Sequence, residues 1–562
     1  MERKPRRYDF SGYKQLFDVL VELDLKVQVV LAFHACGGNV GDSAEVPLPA
    51  WVLAAGERDP DMFYTDRPRQ FSPGRRNVEC ISLFADEEPG ILRGRSPMQC
   101  YVDFMKAFRD EFITEQRYYD CISEVVLGTG PCGELRYPSY PETNGWRFPG
   151  IGEFQCYDRR ALASLARAAD DVGHPEWGHG GPSGVGDYNS SPEDTLFFRS
   201  WDGIWNTEYG VFFLNWYSSS LIEHGERMLH AAASVFAIYD LKTSSTDSGR
   251  QHDAENGFAN NSEKMSCAGL STLEISNNDL IGALSGTPSP KDNSDSTIGP
   301  IDSESDPGSA VHAISQPGSM QGFGSRGPSY ASFKSSSVSD SMNTMEEWIW
   351  PTPEGDPIHL NLKIAGIHWW YHTKSHAAEL TAGYYNSTER NGYTDIVALC
   401  AKYGAALTLT CVEMCDSQHP PEALCGPEGL LRRIKEGAAL LHVPLAGENA
   451  LPCFMPNAID ESALQRIVYN TQPLGTPLEE EYGRSGMGSD IDSTSGQESV
   501  HDGSAIIGRY LPPMRSFTFL RLTPDMMTDA YQNQWQRFMK LMSRNALRFK
   551  TSERWRRDLG FE

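Results

Sequence analysis

The sequence predicts an α/β fold, and within it a (β/α)8 TIM-type barrel, from three observations. Short β-branched apolar runs alternate with amphipathic stretches of helical period, the pattern of βαβ units. At least six such runs occur, with long loops after them. Polar and aromatic side chains collect just after the runs, at the strand ends where barrels build their sites.

In chain order, strands are predicted over 25–34 (LKVQVVLAFH), 122–130 (ISEVVLGTG), 360–370 (LNLKIAGIHWW), 405–414 (AALTLTCVEM), 442–449 (HVPLAGEN) and 516–522 (SFTFLRL). Helices are predicted over 101–112, 191–201, 207–239 and 393–403, each with apolar residues at helical spacing.

Two stretches have no core-forming pattern. Residues 241–345 are dominated by Ser, Gly, Asn, Asp and Thr, and 476–505 repeat that composition. Such segments bury too little apolar surface to offset chain entropy, so both are expected to be disordered insertions. The expected organisation is an N-terminal part of the barrel at 1–240, the insertion at 241–345, the C-terminal part at 346–550 and a tail at 551–562. Loop-closure cost grows only logarithmically with length, so a barrel tolerates such interruptions.

Composition narrows the partners. The chain has 562 residues, is 40% hydrophobic and carries a formal charge of −26, with a pI near 5.0. That charge repels nucleic acid and anionic membrane, and no run approaches the roughly 18 apolar residues of a membrane span. Neither partner is expected; a neutral substrate fits better. The 12 cysteines lie scattered in apolar stretches without framework spacing, which predicts reduced thiols and an intracellular compartment. The start, MERKPRRYDFSGYKQL, lacks the apolar region of a secretory signal.

At the strand ends stand His34 with the glycine-rich loop Gly37, Gly38, Asn39, Val40, Gly41 and Asp42, then Glu134 beside Arg136. His368 beside Trp369 and Trp370 follows, then Thr410 with Glu413, and Glu448 with Asn449. Carboxylates with aromatic rings point to sugars. An acid and a base on opposite faces of a glycosidic bond would hydrolyse it, and partial desolvation of Glu134 would suit it to the acid role. Plainer readings compete: Glu134 could serve only a salt bridge with Arg136, and Glu448 could cap a helix. The glycine loop lacks the Lys-Ser/Thr of a phosphate-binding P-loop. His368, His372 and His376 have helical spacing, but the first follows a strand and no HExxH is present, so no metal is expected. Cys411 and Cys415 read as core packing.

The segments AFHACGGNVGD, GPCGELRYPSYPETNGWRFPGIGEFQCYD, GHPEWG, AGIHWWYHTKSHAAELTAGYYN, LTCVEMCDSQHP, AGENALP and FTFLRL resemble the β-amylase family of starch-degrading glycoside hydrolases. They stand in family order and cover nearly the whole chain outside the insertions. The resemblance implies a (β/α)8 barrel that releases β-maltose from the non-reducing ends of α-1,4-glucans with inversion, without a cofactor. It implies Glu134 as general acid, Glu448 as general base and Gly37–Asp42 as a lid. His34, Asp86, Lys363, His368, Thr410, Asn449, Ala450 and Arg521 would contact substrate. Family members carry two further strands and a sugar-binding aspartate before the region matching YDFSGYKQLF, so the barrel is expected to be incomplete at its N-terminal side. Cys415 also stands where an arginine usually follows Glu-Met. A silent glucan-binding or regulatory relative is the alternative implied. Plastid and cytosol both remain open, as does the oligomeric state.

Overall fold

The computed structural model describes residues 2–37, 45–71, 73–236, 358–455, 458–472, 511 and 513–545. The expected insertions at 241–345 and 476–505, the tail at 551–562 and lid residues Gly38 to Asp42 lie outside the described residues.

All the predicted strands form, each shorter than its apolar run: β1 Val27–Leu31, β2 Ile122–Leu127, β3 His359–Ile364, β4 Ala406–Leu409, β5 Leu445–Glu448 and β6 Ser516–Thr518. They pair in parallel, in chain order, as one six-stranded sheet. The remaining residues of the runs lie in the loops that flank the strands.

The main helices are α1 Ser11–Glu22, α2 Pro97–Phe108, α3 Arg159–Asp171, α4 Glu208–Phe236, α5 Thr394–Tyr403, α6 Pro427–Leu440, α7 Glu461–Asn470 and α8 Asp529–Asn545. Their starts are written locally. Ser96 and Gln99 form a reciprocal capping box before α2, with Pro97 in its first turn. Asp158 accepts from the amides of Arg160 and Ala161 at 3.0 Å each to open α3.

One predicted helix is corrected. Over 191–201 only a single 3-10 turn forms, at Pro192–Asp194. The Thr195 hydroxyl donates to Pro192 O at 2.8 Å and accepts from Phe198 N at 3.0 Å. This side-chain pairing competes with helix and drives Phe197 and Phe198 into the core.

The sheet interior holds a polar row that the apolar strand pattern hid. Glu124 Oε1 on β2 accepts from Gln28 of β1 and, at 2.6 Å, from Asn361 of β3. Asn361 Oδ1 in turn accepts from Thr408 of β4 at 2.8 Å. Thr518 of β6 then donates to Gln28 Oε1 at 3.1 Å, so the last strand reaches the first. The sheet is therefore curled into a barrel-like trough. Outside it, one large apolar cluster joins strand residues such as Leu127 and Leu362 to Met228 and Leu229 of α4.

Candidate active site

Glu134 is placed by a loop that turns back on itself. Beyond β2, a 3-10 turn at Pro131–Gly133 ends with Glu134 N donating to Pro131 O at 2.9 Å. A Cβ at Gly130 would lie 2.6 Å from Glu134 O, so only glycine permits this approach. Leu135 N donates to Lys363 O at 2.7 Å and ties the loop to β3. The carboxylate is buried, and Arg136 Nε reaches Glu134 Oε2 at 2.7 Å. Arg136 itself stacks over Tyr140, 4.3 Å from the ring centre. The salt bridge weighed as the plainer reading is thus real.

Glu448 ends β5 and is buried, with Lys363 Nζ of β3 at 2.5 Å from its Oε1. It does not cap a helix. Burial raises its pKa; Lys363 opposes that shift, Glu134 adds to it, and Arg521 opposes it more weakly. The two carboxylates therefore feel one another electrostatically across a shared space. Burial also pulls down the pKa of Lys363, but Glu448 and then Glu134 outweigh it and leave it raised.

The remaining predicted residues fall around this pair in different ways. Thr410 Oγ1 accepts from Gly366 N at 2.7 Å, linking the ends of β4 and β3. A Cβ at Gly366 would meet Cys411 Sγ at 2.3 Å, so the close approach depends on glycine. Asn449 accepts from Leu520 N at 2.6 Å and donates to Leu520 O, fastening the segment after β6 beside Glu448. Ala450 N and Leu451 N donate to Glu413 Oε1 at 2.9 and 2.6 Å. His34 lies against the Glu134 loop, its Cε1 3.7 Å from the Cβ position of Gly133. Gly37 is the one residue of the expected lid that is described, and Cys36 and Val46 exchange backbone hydrogen bonds beside it.

Asp86 sits deeper than a bare sugar contact requires. Its Oδ2 takes His224 Nδ1 at 2.7 Å and Arg227 Nη2 and Nε at 2.8 and 3.0 Å, all from α4. His368 Nδ1 lies 3.0 Å from Gly366 O, and burial pushes its pKa down to about 4. Trp369 and Trp370 are not open stacking platforms: they are buried, donating to Gly150 O at 3.0 Å and to Pro149 O.

His372 pairs with Asp416 at 3.5 Å and His376 with Glu379 at 2.7 Å, so neither joins His368. Cys411 is buried as expected, but Cys415 is not core; its thiol lies 3.7 Å from Gln418 Oε1, at the start of a 3-10 turn.

Sequence reasoning assigned no role to His224 or Arg227, and it placed Glu413 after a strand without giving it one. Glu413 deserved more weight from its place after β4. Burial pushes its pKa up to about 7 despite two backbone amides that favour the anion.

Buried carboxylates at or beyond the ends of strands in a parallel barrel sheet are an arrangement that can act on a glycosidic bond. A model of glycosyl hydrolase family 14 matches residues 2–269 and 336–476. The chain is 37% identical over 545 residues to Beta-amylase 2, chloroplastic, of Oryza sativa subsp. japonica, covering 97% of this chain and 68% of that one. It is 39% identical over 452 residues to Beta-amylase 1, chloroplastic, of Arabidopsis thaliana, covering 80% and 57%. The fold matches the catalytic domain of a beta-amylase from Paenibacillus polymyxa with a TM-score of 0.54 at 21% identity, covering 96% of this chain and 87% of that one. The chain belongs to glycosyl hydrolase family 14, the beta-amylase family.

Proposed function

We propose that Glu134 and Glu448 are the acid and base of an inverting hydrolysis of α-1,4-glucan. Family membership makes the chain a glycoside hydrolase that acts on starch and releases maltose. Glu134 protonates the glycosidic oxygen, and Glu448 takes a proton from the water that attacks the opposite face. Inversion needs the carboxyls roughly 6.5–9.5 Å apart to admit that water.

The observation that carries this reading is the Lys363–Glu448 pair. A buried carboxylate must remain ionised to act as base, and the adjacent ammonium favours that form. Asp86, held by His224 and Arg227, supports a fixed acceptor for the terminal glucose. His34, Lys363, His368, Thr410, Asn449, Ala450 and Arg521 are assigned to the remaining glucan contacts, and Gly37–Asp42 to the lid.

Residues 1–240 and 346–550 are assigned to one catalytic barrel interrupted at 241–345. The break in the family match between 269 and 336 supports that division. The relatives named as chloroplastic support a plastid location.

The test is proton NMR of products during digestion of a soluble maltooligosaccharide. β-Maltose formed first, with slow appearance of the α-anomer, is expected. Initial α-maltose would overturn the inverting assignment.

A further inference from the structure

A second chemistry lies beside the glucan site. His368, His419 and Cys425 each offer one ligand atom, and those atoms all lie within 4.8 Å of one another. The first follows β3, and the other two lie between β4 and α6. Backbone bonds lace these segments together: Gly426 N donates to His368 O at 2.9 Å, Trp370 N to Ala423 O at 2.8 Å and His372 N to Leu424 O at 3.0 Å.

The protonation state of His368 follows from its partner. Gly366 O can only accept, so Nδ1 carries the proton and Nε2 keeps its lone pair. That Nε2 is buried and has no hydrogen-bond partner among the described residues; the same holds for Nε2 of His419. The two rings lie 4.5 Å apart between centres, with Phe148 within 6.3 Å of each. Cys425 is a buried free thiol with only a 3.8 Å contact to Ala423 O. Ordinary core packing does not leave two neighbouring buried imidazole nitrogens without partners, because each forfeits its hydration without return.

We propose that His368, His419 and Cys425 form a binding site for a borderline-soft divalent metal ion such as Zn²⁺. Two imidazoles and a thiolate are a nitrogen–sulfur donor set suited to tetrahedral Zn²⁺, with the fourth position left to water. Donors around such an ion stand roughly 3.5 Å apart, so modest side-chain rotations close the cluster on it. Coordination replaces the Cys425 S–H bond by an S–metal bond and releases one proton to solvent. The carbonyl of Gly366 orients His368 as outer partners of metal-bound histidines do.

The metal would compete with glucan for His368. That consequence rests on the assignment of His368 as a glucan contact; the metal site does not.

The test is titration of the full chain with Co²⁺, followed by absorption spectroscopy. Visible bands of tetrahedral intensity and a thiolate-to-metal charge-transfer band are expected, saturating at one equivalent. Cys425→Ser should remove the charge-transfer band, and His419→Gln should weaken binding by about tenfold or more. Absence of the bands at millimolar Co²⁺ overturns the site, as do bands unchanged in both variants. In a separate arm, Zn²⁺ should suppress maltose release, reversibly by chelator, while His419→Gln resists it. If the cobalt bands appear but Zn²⁺ leaves activity untouched, the metal site stands and the glucan role of His368 falls.

Discussion

The ammonium of Lys363 on β3 lies 2.5 Å from Glu448 Oε1 at the end of β5, reaching past the strand between them. On the proposed assignment of Glu448 as base, this pairing bears on how a deeply buried carboxylate stays ionised. Burial favours its neutral form, while the cation favours its anion. In Lys363→Met the Glu448 pKa should rise. The acidic limb of the kcat/KM profile should move to higher pH, and neutral-pH activity should fall roughly 10- to 100-fold, as for a lost hydrogen bond to a charged group. An unmoved limb would show that Lys363 does not tune the base.

Glu134→Gln and Glu448→Gln keep side-chain size while removing proton transfer. Each should lower maltose release by roughly 10²–10⁴-fold or more. Glucan affinity, measured by calorimetry, should stay within a few-fold of the parent. Near-parental turnover in either variant would sink its assignment.

Asp86 depends on α4 for its orientation. Arg227→Ala removes two donors to Oδ2 and leaves His224 as the remaining side-chain donor. KM for maltooligosaccharides should rise by about tenfold with kcat little changed, because uniform binding is lost. Steady-state kinetics beside a melting curve separate the roles: a lowered Tm with unchanged KM would make the contact purely structural.

Glu413 makes stability depend on pH. Its folded pKa, about 7, lies above its ordinary value of 4.5. The folded state therefore binds more protons between these values, so this contribution is fully present below about pH 4.5 and is lost as pH rises through 7. Urea unfolding of the parent minus Glu413→Gln should show a pH-dependent difference on the order of 3 kcal/mol across that window. A flat difference would refute the raised pKa.

The strand runs were legible because short β-branched apolar runs alternate with helical patterns along the chain, as βαβ units require. The helix expected over 191–201 failed because Thr195 offers its hydroxyl to the local backbone, an option that periodicity does not register. Gln28, Glu124, Asn361 and Thr408 also escaped notice. Each is a polar residue inside a mainly apolar run, and their row exists only once β1 to β4 lie side by side.

By itself the sequence determined the order of strands and helices and the polar groups carried past each strand. Those properties depend on side-chain periodicity and on near neighbours along the chain. Tertiary structure alone decided which groups meet. Lys363 and Glu448 are 85 residues apart in the chain, and His368 meets His419 and Cys425 only where the segments after β3 and β4 are laced together. The physical reason is that curling the sheet converts separate strand ends into one shared space, where burial and mutual charge act on groups that the chain holds far apart.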